Sequence, residues 1–99
     1  MQAKVTVDGN KAKISLSGHF TFEGHRIFKD ATTQVQDDKT INEVDLDFSS
    51  VDYMDSAALG MLLLLNERMT GRKIRLTNCK GTVKAVLDVA NFGKIFTIV

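Results

Sequence analysis

The apolar residues of this chain repeat at two different spacings, and the spacing switches several times along the sequence. Ala3 to Val7 and Lys11 to Ser17 alternate apolar with polar residues, the period of a strand with one buried face. Asp8-Gly9-Asn10 between them supplies a turn that tolerates positive φ, so the chain opens with a β-hairpin. From Phe22 the spacing becomes helical: Ile27, Phe28, Ala31 and Val35 share one side, while Glu23, Arg26, Lys29 and Asp30 fall mostly elsewhere. Val44, Leu46 and Phe48 then alternate with Glu43, Asp45 and Asp47, which places the three acids on the solvent side of a third strand. Ser56 to Met69 is rich in strong helix formers, and its apolar surface is too wide for a helix lying alone in water. Gly71 follows as a stop. Lys73 to Thr77 alternates again, Thr82 to Ala90 puts Val83, Val86, Leu87 and Ala90 on one helical face, and Ile95 to Val99 closes as a short strand. The order ββαβαβαβ predicts an α/β fold: a mixed β-sheet, its parallel pairs joined by helices packed against it and its first hairpin antiparallel.

The 99 residues suit a single domain, 1–99, with one hydrophobic core. The chain has no proline, repeat or low-complexity tract to mark a boundary. With 13 basic and 12 acidic residues there is no overall field to attract nucleic acid or anionic lipid, so partners are expected to be defined by specific contacts. The start MQAKVTVDGNK carries no secretory or transit pattern, and the longest apolar run, Met61 to Leu65, is far too short to enter a bilayer as a span. A lone cysteine, Cys79, excludes an internal disulfide and suits a reducing compartment; a cytoplasmic location is expected.

Asp55-Ser56 joins the third strand to the second helix, and either side chain could cap the first turn. The serine hydroxyl then lies beside free backbone N–H groups at the positive end of the helix, where a phosphate would be tolerated. Two readings are therefore open: a plain cap, or a modifiable residue.

The stretch Val44-Asp45-Leu46-Asp47-Phe48-Ser49-Ser50-Val51-Asp52-Tyr53-Met54-Asp55-Ser56-Ala57-Ala58-Leu59-Gly60 resembles the signature of STAS domains of the anti-sigma-factor-antagonist type. It has the acidic strand, the aromatic, the Asp-Ser pair and the small-small-Leu-Gly helix start. The resemblance continues through Ile74 to Asn78 and from Val86-Leu87 to Ile95-Phe96. It implies that Ser56 is phosphorylated by a partner serine kinase, usually the anti-sigma factor itself, and dephosphorylated by a phosphatase. The unphosphorylated form binds the anti-sigma factor and frees the sigma factor; phosphorylation dissociates it. Partner contact is expected at Tyr53, Met54, Asp55, Ser56, Ala57 and Gly60, with Met54 and Ala57 giving apolar contact, helped by the Gly18 to Thr21 turn. Thr21 stands where the family often carries an aspartate, a departure that bears on partner choice. That segment and the Met-Leu-Leu-Leu-Leu helix resemble a branch whose kinase and phosphatase belong to a response-regulator protein and whose anti-sigma target controls motility genes.

Two other functions fit the same resemblance or the same loop. One is a constitutive STAS-like accessory subunit of an ABC-type transporter, with Ser56 only a cap. The other is a small-ligand domain sensing a nucleotide or lipid, although the scattered glycines form no phosphate cradle. No enzymatic activity and no cofactor are expected: Ser56 lacks a nucleophile elbow, and His19 and His25 with Glu23 do not make up a metal-ligand set. Ser49 and Ser50 read as turn residues and as secondary candidates for phosphorylation, and the basic residues Arg72, Lys73, Arg75, Lys80 and Lys84 as ordinary surface charge.

Overall fold

In the computed structural model, which describes residues 1–99, strands β1 (Gln2–Asp8) and β2 (Lys11–Phe20) pair antiparallel from Gln2↔Ser17 to Asp8↔Lys11. Gly9 opens the two-residue turn at φ +63°, a backbone that a side chain would strain. Helix α1 (His25–Asp37) follows a 3-10 turn at Phe22–Gly24, then β3 (Glu43–Met54), α2 (Ser56–Arg68), β4 (Lys73–Thr77), α3 (Gly81–Val89), a second 3-10 turn at Phe92–Lys94 and β5 (Thr97–Ile98). The sheet order is β1-β2-β3-β4-β5, with β2–β3, β3–β4 and β4–β5 parallel. The mixed sheet and the ββαβαβαβ order are those read from the sequence.

Ala12, Ile14 and Leu16 of β2, Val44, Leu46 and Phe48 of β3, and Ile74 and Leu76 of β4 all point to one face. There they meet Phe28, Ala31 and Val35 of α1, Ala58, Leu62 and Leu65 of α2, and Val83 and Leu87 of α3 in a single buried cluster. Each fully buried Leu, Ile or Phe contributes about 2 kcal/mol. The guanidinium of Arg72 ties α1 to this frame by donating to the carbonyls of Val35 (2.9 Å) and Gln36 (2.7 Å) at the helix C-terminus.

Several expectations need correction: Ser49 and Ser50 lie within β3 and not in a turn, and Arg72 and Arg75 are bonded into the fold and are not ordinary surface charge. Asp45 and Asp47 do lie on the helix-free face, yet both are buried. Arg75 donates to Asp45 through Nε and Nη2 at 2.9 and 2.8 Å, and Lys11 Nζ lies 3.1 Å away. Asp47 accepts from Asn78 Nδ2 (3.0 Å) and the Ser49 amide (2.9 Å), with Lys13 Nζ at 3.5 Å. Side-chain parity gives the face but not the height of the Lys and Arg stems that flank it. The Arg75 bonds, opposed by burial and helped by Lys11, hold the Asp45 carboxyl at about 2 against the ordinary 3.8. Burial pushes Asp47 up, but the bonds from Asn78 and Ser49 outweigh it and leave its carboxyl below the usual range.

The closing strand is shorter than Ile95 to Val99, because the amides of Ile95 and Phe96 fold back onto the Phe92 carbonyl. Ile27 is not a core residue: it sits on the flank of α1 beside β1, half exposed. Gly18 to Phe20 is not a turn but the end of β2, which runs on beside β3 through Ser17↔Ser50, Gly18↔Val51, His19↔Tyr53 and Phe20↔Met54. Over that stretch β3 twice contributes one residue more than β2, a pair of bulges at which the strict alternation of Val44 to Phe48 ends.

Candidate functional site

The paired ends of β2 and β3 carry the junction with α2. Asp55 is the one residue between strand and helix, in extended backbone (φ −113°, ψ −178°). Its amide donates to the Phe20 carbonyl at 3.3 Å, which locks the junction to β2. Its carboxylate Oδ1 accepts the Ala58 N–H at 3.0 Å, so Asp55 is the N-cap of α2. Both side chains could have filled that role on sequence alone; the extended backbone at Asp55 settles it.

Ser56 is the first helical residue and is exposed. No hydrogen bond in the structure uses its hydroxyl, and the amides of Ser56 and Ala57 have no backbone acceptor, as expected for a first helical turn. The hydroxyl is therefore free, accessible and at the positive end of a 13-residue helix. Asp55, the preceding residue, is its acidic neighbour.

Thr21 follows Phe20 directly and is thereby carried to the same end of the sheet as Asp55 and Ser56, half-buried, with its carbonyl accepting the Gly24 amide at 3.0 Å. Tyr53 is exposed and meets the His19 ring edge-on at 5.9 Å, and His19 Nε2 lies 3.3 Å from Asp52 Oδ1. Beside them opens a polar cleft of about 510 Å3 lined by Met1, Gly18, His19, Thr21, Glu23, Gly24 and Asp52. Ala57 is half-buried and Gly60 exposed. Met54 departs from expectation: it is 2% exposed, because its partner Phe20 and it both turn toward the helices, and it serves the core instead of the surface.

Sequence reading passed over Leu63 and Leu64, 40% and 50% exposed. They lie two turns along α2 from Ser56, on the side that also bears Gly60. The signal was available: four consecutive leucines, Leu62 to Leu65, are spaced about 100° apart and cannot all face one core. Phe22, stacked on His25 at 5.7 Å, adds another exposed ring near Thr21.

No three His, Cys, Asp or Glu side chains gather into a set that could hold a metal ion. Cys79 is half-buried, and burial pushes its thiol up to about 11, which keeps it protonated at neutral pH. No helix is long and apolar enough to cross a membrane.

A family model described as "Mlab, STAS domain" matches residues 3–99. A STAS-domain containing protein of Pseudomonas aeruginosa is 37% identical over 95 residues, covering 94% of this chain and 92% of the relative. Among solved structures, an anti-sigma factor antagonist from Mycobacterium paratuberculosis superposes with a TM-score of 0.89 at 16% identity, over 98% of this chain and 83% of that one. The anti-sigma factor antagonist SpoIIAA in its unphosphorylated form gives a TM-score of 0.74 at 16% identity, over 98% and 86% of the two chains. The phosphorylated form of the Bacillus SpoIIAA gives 0.73 at 15% identity, over 98% and 90%.

Proposed function

This chain belongs to the STAS domain family, and from that premise we propose that it is an anti-sigma factor antagonist whose hold on its partner is switched by phosphorylation of Ser56. The observation that carries the reading is the division of labour at the junction: Asp55 caps α2, and Ser56 is left with an exposed hydroxyl and no structural bond. The likeness to SpoIIAA, which exists in phosphorylated and unphosphorylated forms, supports it.

The domain supplies only the acceptor and is not itself an enzyme. A partner serine kinase brings ATP, the metal ion and the base: the Ser56 oxygen bonds to the γ-phosphorus, the bond to ADP breaks, and the hydroxyl proton passes to the partner's base. A serine phosphatase, carried on a response-regulator protein, hydrolyses the Ser56 phosphate with water, restoring the hydroxyl and releasing inorganic phosphate. Unphosphorylated, the chain binds the anti-sigma factor in the cytoplasm and frees the sigma factor for transcription. Contact centres on Tyr53, Asp55, Ser56, Ala57 and Gly60 with Thr21 alongside, and extends over Leu63 and Leu64, whose apolar surface is otherwise left to water. Phosphate adds nearly two negative charges next to Asp55, and like charge pressed into a docked interface costs several kcal/mol. The helix dipole offsets the added charge within the chain itself, so the fold stays intact while the partner leaves.

Intact-mass and peptide mass spectrometry on protein from its native cells in two growth states tests the reading. The expected result is a phosphate on Ser56 whose occupancy changes between states, together with retention of one partner by Ser56→Ala and its loss by Ser56→Glu. A chain unmodified in both states, holding the same partner whichever residue stands at 56, would replace the switch with a constitutive subunit.

A further inference from the structure

The two edges of the sheet are unlike. β5 presents only Thr97 and Ile98. β1 is seven residues long, pairs with β2 in an unbroken register, and carries no strand on its outer side. Long regular edges are normally blunted by proline, a bulge, a cover or several lysines. β1 has no proline or bulge, and Lys4 is its one basic residue. A groove of about 280 Å3 runs between β1 and α1, lined by Ala3, Val5, Ile27 and Ala31 together with Asp30 and Gln34. Val7, at the end of the same strand, is 54% exposed.

We propose that β1 pairs antiparallel with β1 of a second copy of this chain, about a two-fold axis through Thr6, to join the two sheets edge to edge. The occupant follows from self-complementarity. Centred on Thr6, the pairing sets Lys4 opposite Asp8 of the second copy and Val5 opposite its Val7, each twice by symmetry. Lys4 and Asp8 lie on the helix-free face, so the ion pairs form on the polar side. Val5 and Val7 lie on the helix face, so the incoming Val7 enters the groove beside Val5 and Ala31. Neighbouring registers lose this match. Centring on Lys4 opposes two lysines; centring on Val5 sets Lys4 against Thr6; a shift of half a step sets polar residues against apolar ones.

The junction at Ser56 stays open in such a dimer. Thr6 is level with Lys13 near the start of β2, whereas Asp55, which precedes Ser56, bonds to Phe20 at its end, seven residues or roughly 23 Å further along. Each dimer therefore offers two independent partner sites.

Sedimentation equilibrium across micromolar to millimolar concentrations tests this. The mass should rise with concentration from 11.0 kDa toward twice that value. Lys4→Asp and Asp8→Lys should each weaken self-association at least tenfold at low salt, and the double exchange should restore it. Val7→Glu, which touches neither charge, should also hold the chain at 11.0 kDa. Because Asp8→Lys also faces Lys11 within the hairpin, thermal melts accompany each variant. A wild-type chain that stays monomeric throughout, single reversals that associate normally, or a double exchange that fails to recover in a folded protein would each overturn the proposal. Ser56→Glu should leave the association unchanged, which keeps this result separate from the switch.

Discussion

The assignment of cap and acceptor can be tested by folding alone. Asp55→Ala removes the oxygen that accepts the Ala58 amide at 3.0 Å, and Ala58 is fully buried, so water cannot readily replace it. Loss of an N-cap costs about 1 kcal/mol, rising toward about 2 where the stranded donor is shielded. Ser56→Ala removes a hydroxyl that bonds to nothing and introduces a better helix former, so its effect should stay within about 0.5 kcal/mol. For a domain near 100 residues, 1 kcal/mol moves the melting midpoint by about 4–8 °C. The expected outcome is a drop of roughly 5–15 °C for Asp55→Ala and at most a few degrees for Ser56→Ala, followed by circular dichroism with urea titrations as a cross-check. The double variant should add the two effects within about 0.5 kcal/mol. If Ser56→Ala is as damaging as Asp55→Ala, or the double variant is far worse than the sum, the serine is itself a cap and the free-acceptor argument fails.

Three further outcomes follow from the packing. Asp45 has a folded carboxyl at about 2 against the ordinary 3.8, so its ion pairs contribute stability that is complete above about pH 4 and lost as pH falls through about 2. Asp45→Asn should forfeit up to about 2 kcal/mol at neutral pH, and the gap between wild type and variant should close on acidification; a gap that ignores pH would refute the assignment. Leu62→Ala, at a fully buried position, should cost about 2–5 kcal/mol, while Leu63→Ala and Leu64→Ala should stay within about 0.5 kcal/mol yet weaken partner capture. Arg72→Ala strands the carbonyls of Val35 and Gln36 and should lower stability by about 1–3 kcal/mol in chemical denaturation, with Arg72→Lys recovering only part because its single ammonium cannot match both bonds.

Period, with helix-former composition for α2, located the three α-helices and the five strands, since alternation at Val44, Leu46 and Phe48 and helical spacing at Phe28, Ala31 and Val35 reflect burial against one core. It failed where the backbone stops being periodic. Past Phe48 the buried set continues as Val51 and Met54, three residues apart, because β3 bulges twice against β2. A reader of spacing therefore ends the strand early and leaves Met54 in a surface loop. Ile95 looked like a strand residue for a related reason: the 3-10 turn at Phe92–Lys94 is set by the packing of Phe92 and Phe96, which local composition does not reveal. At the site, the Asp-Ser pair was legible as a helix start, but the choice of cap depends on the backbone angles of a single residue.

That choice decides what kind of switch Ser56 could be. Had the serine been the cap, a phosphate would have withdrawn the acceptor from the first turn, and the change would have propagated as fraying of α2. With Asp55 holding Ala58 and with Ala58 and Leu62 anchored in the core, the first turn keeps its bond whatever Ser56 carries. A useful switch needs two states of nearly equal folding free energy and very unequal binding free energy. An exposed first-turn hydroxyl beside a capped neighbour meets the first condition, because the favourable dipole term of about 0.3–1 kcal/mol is set against repulsion from Asp55 of similar size. The added charge, set next to Asp55, meets the second, because a docked partner must accept it without water to screen it. The switch that this geometry supports is electrostatic, acting on the surface a partner meets while the chain beneath it keeps one shape.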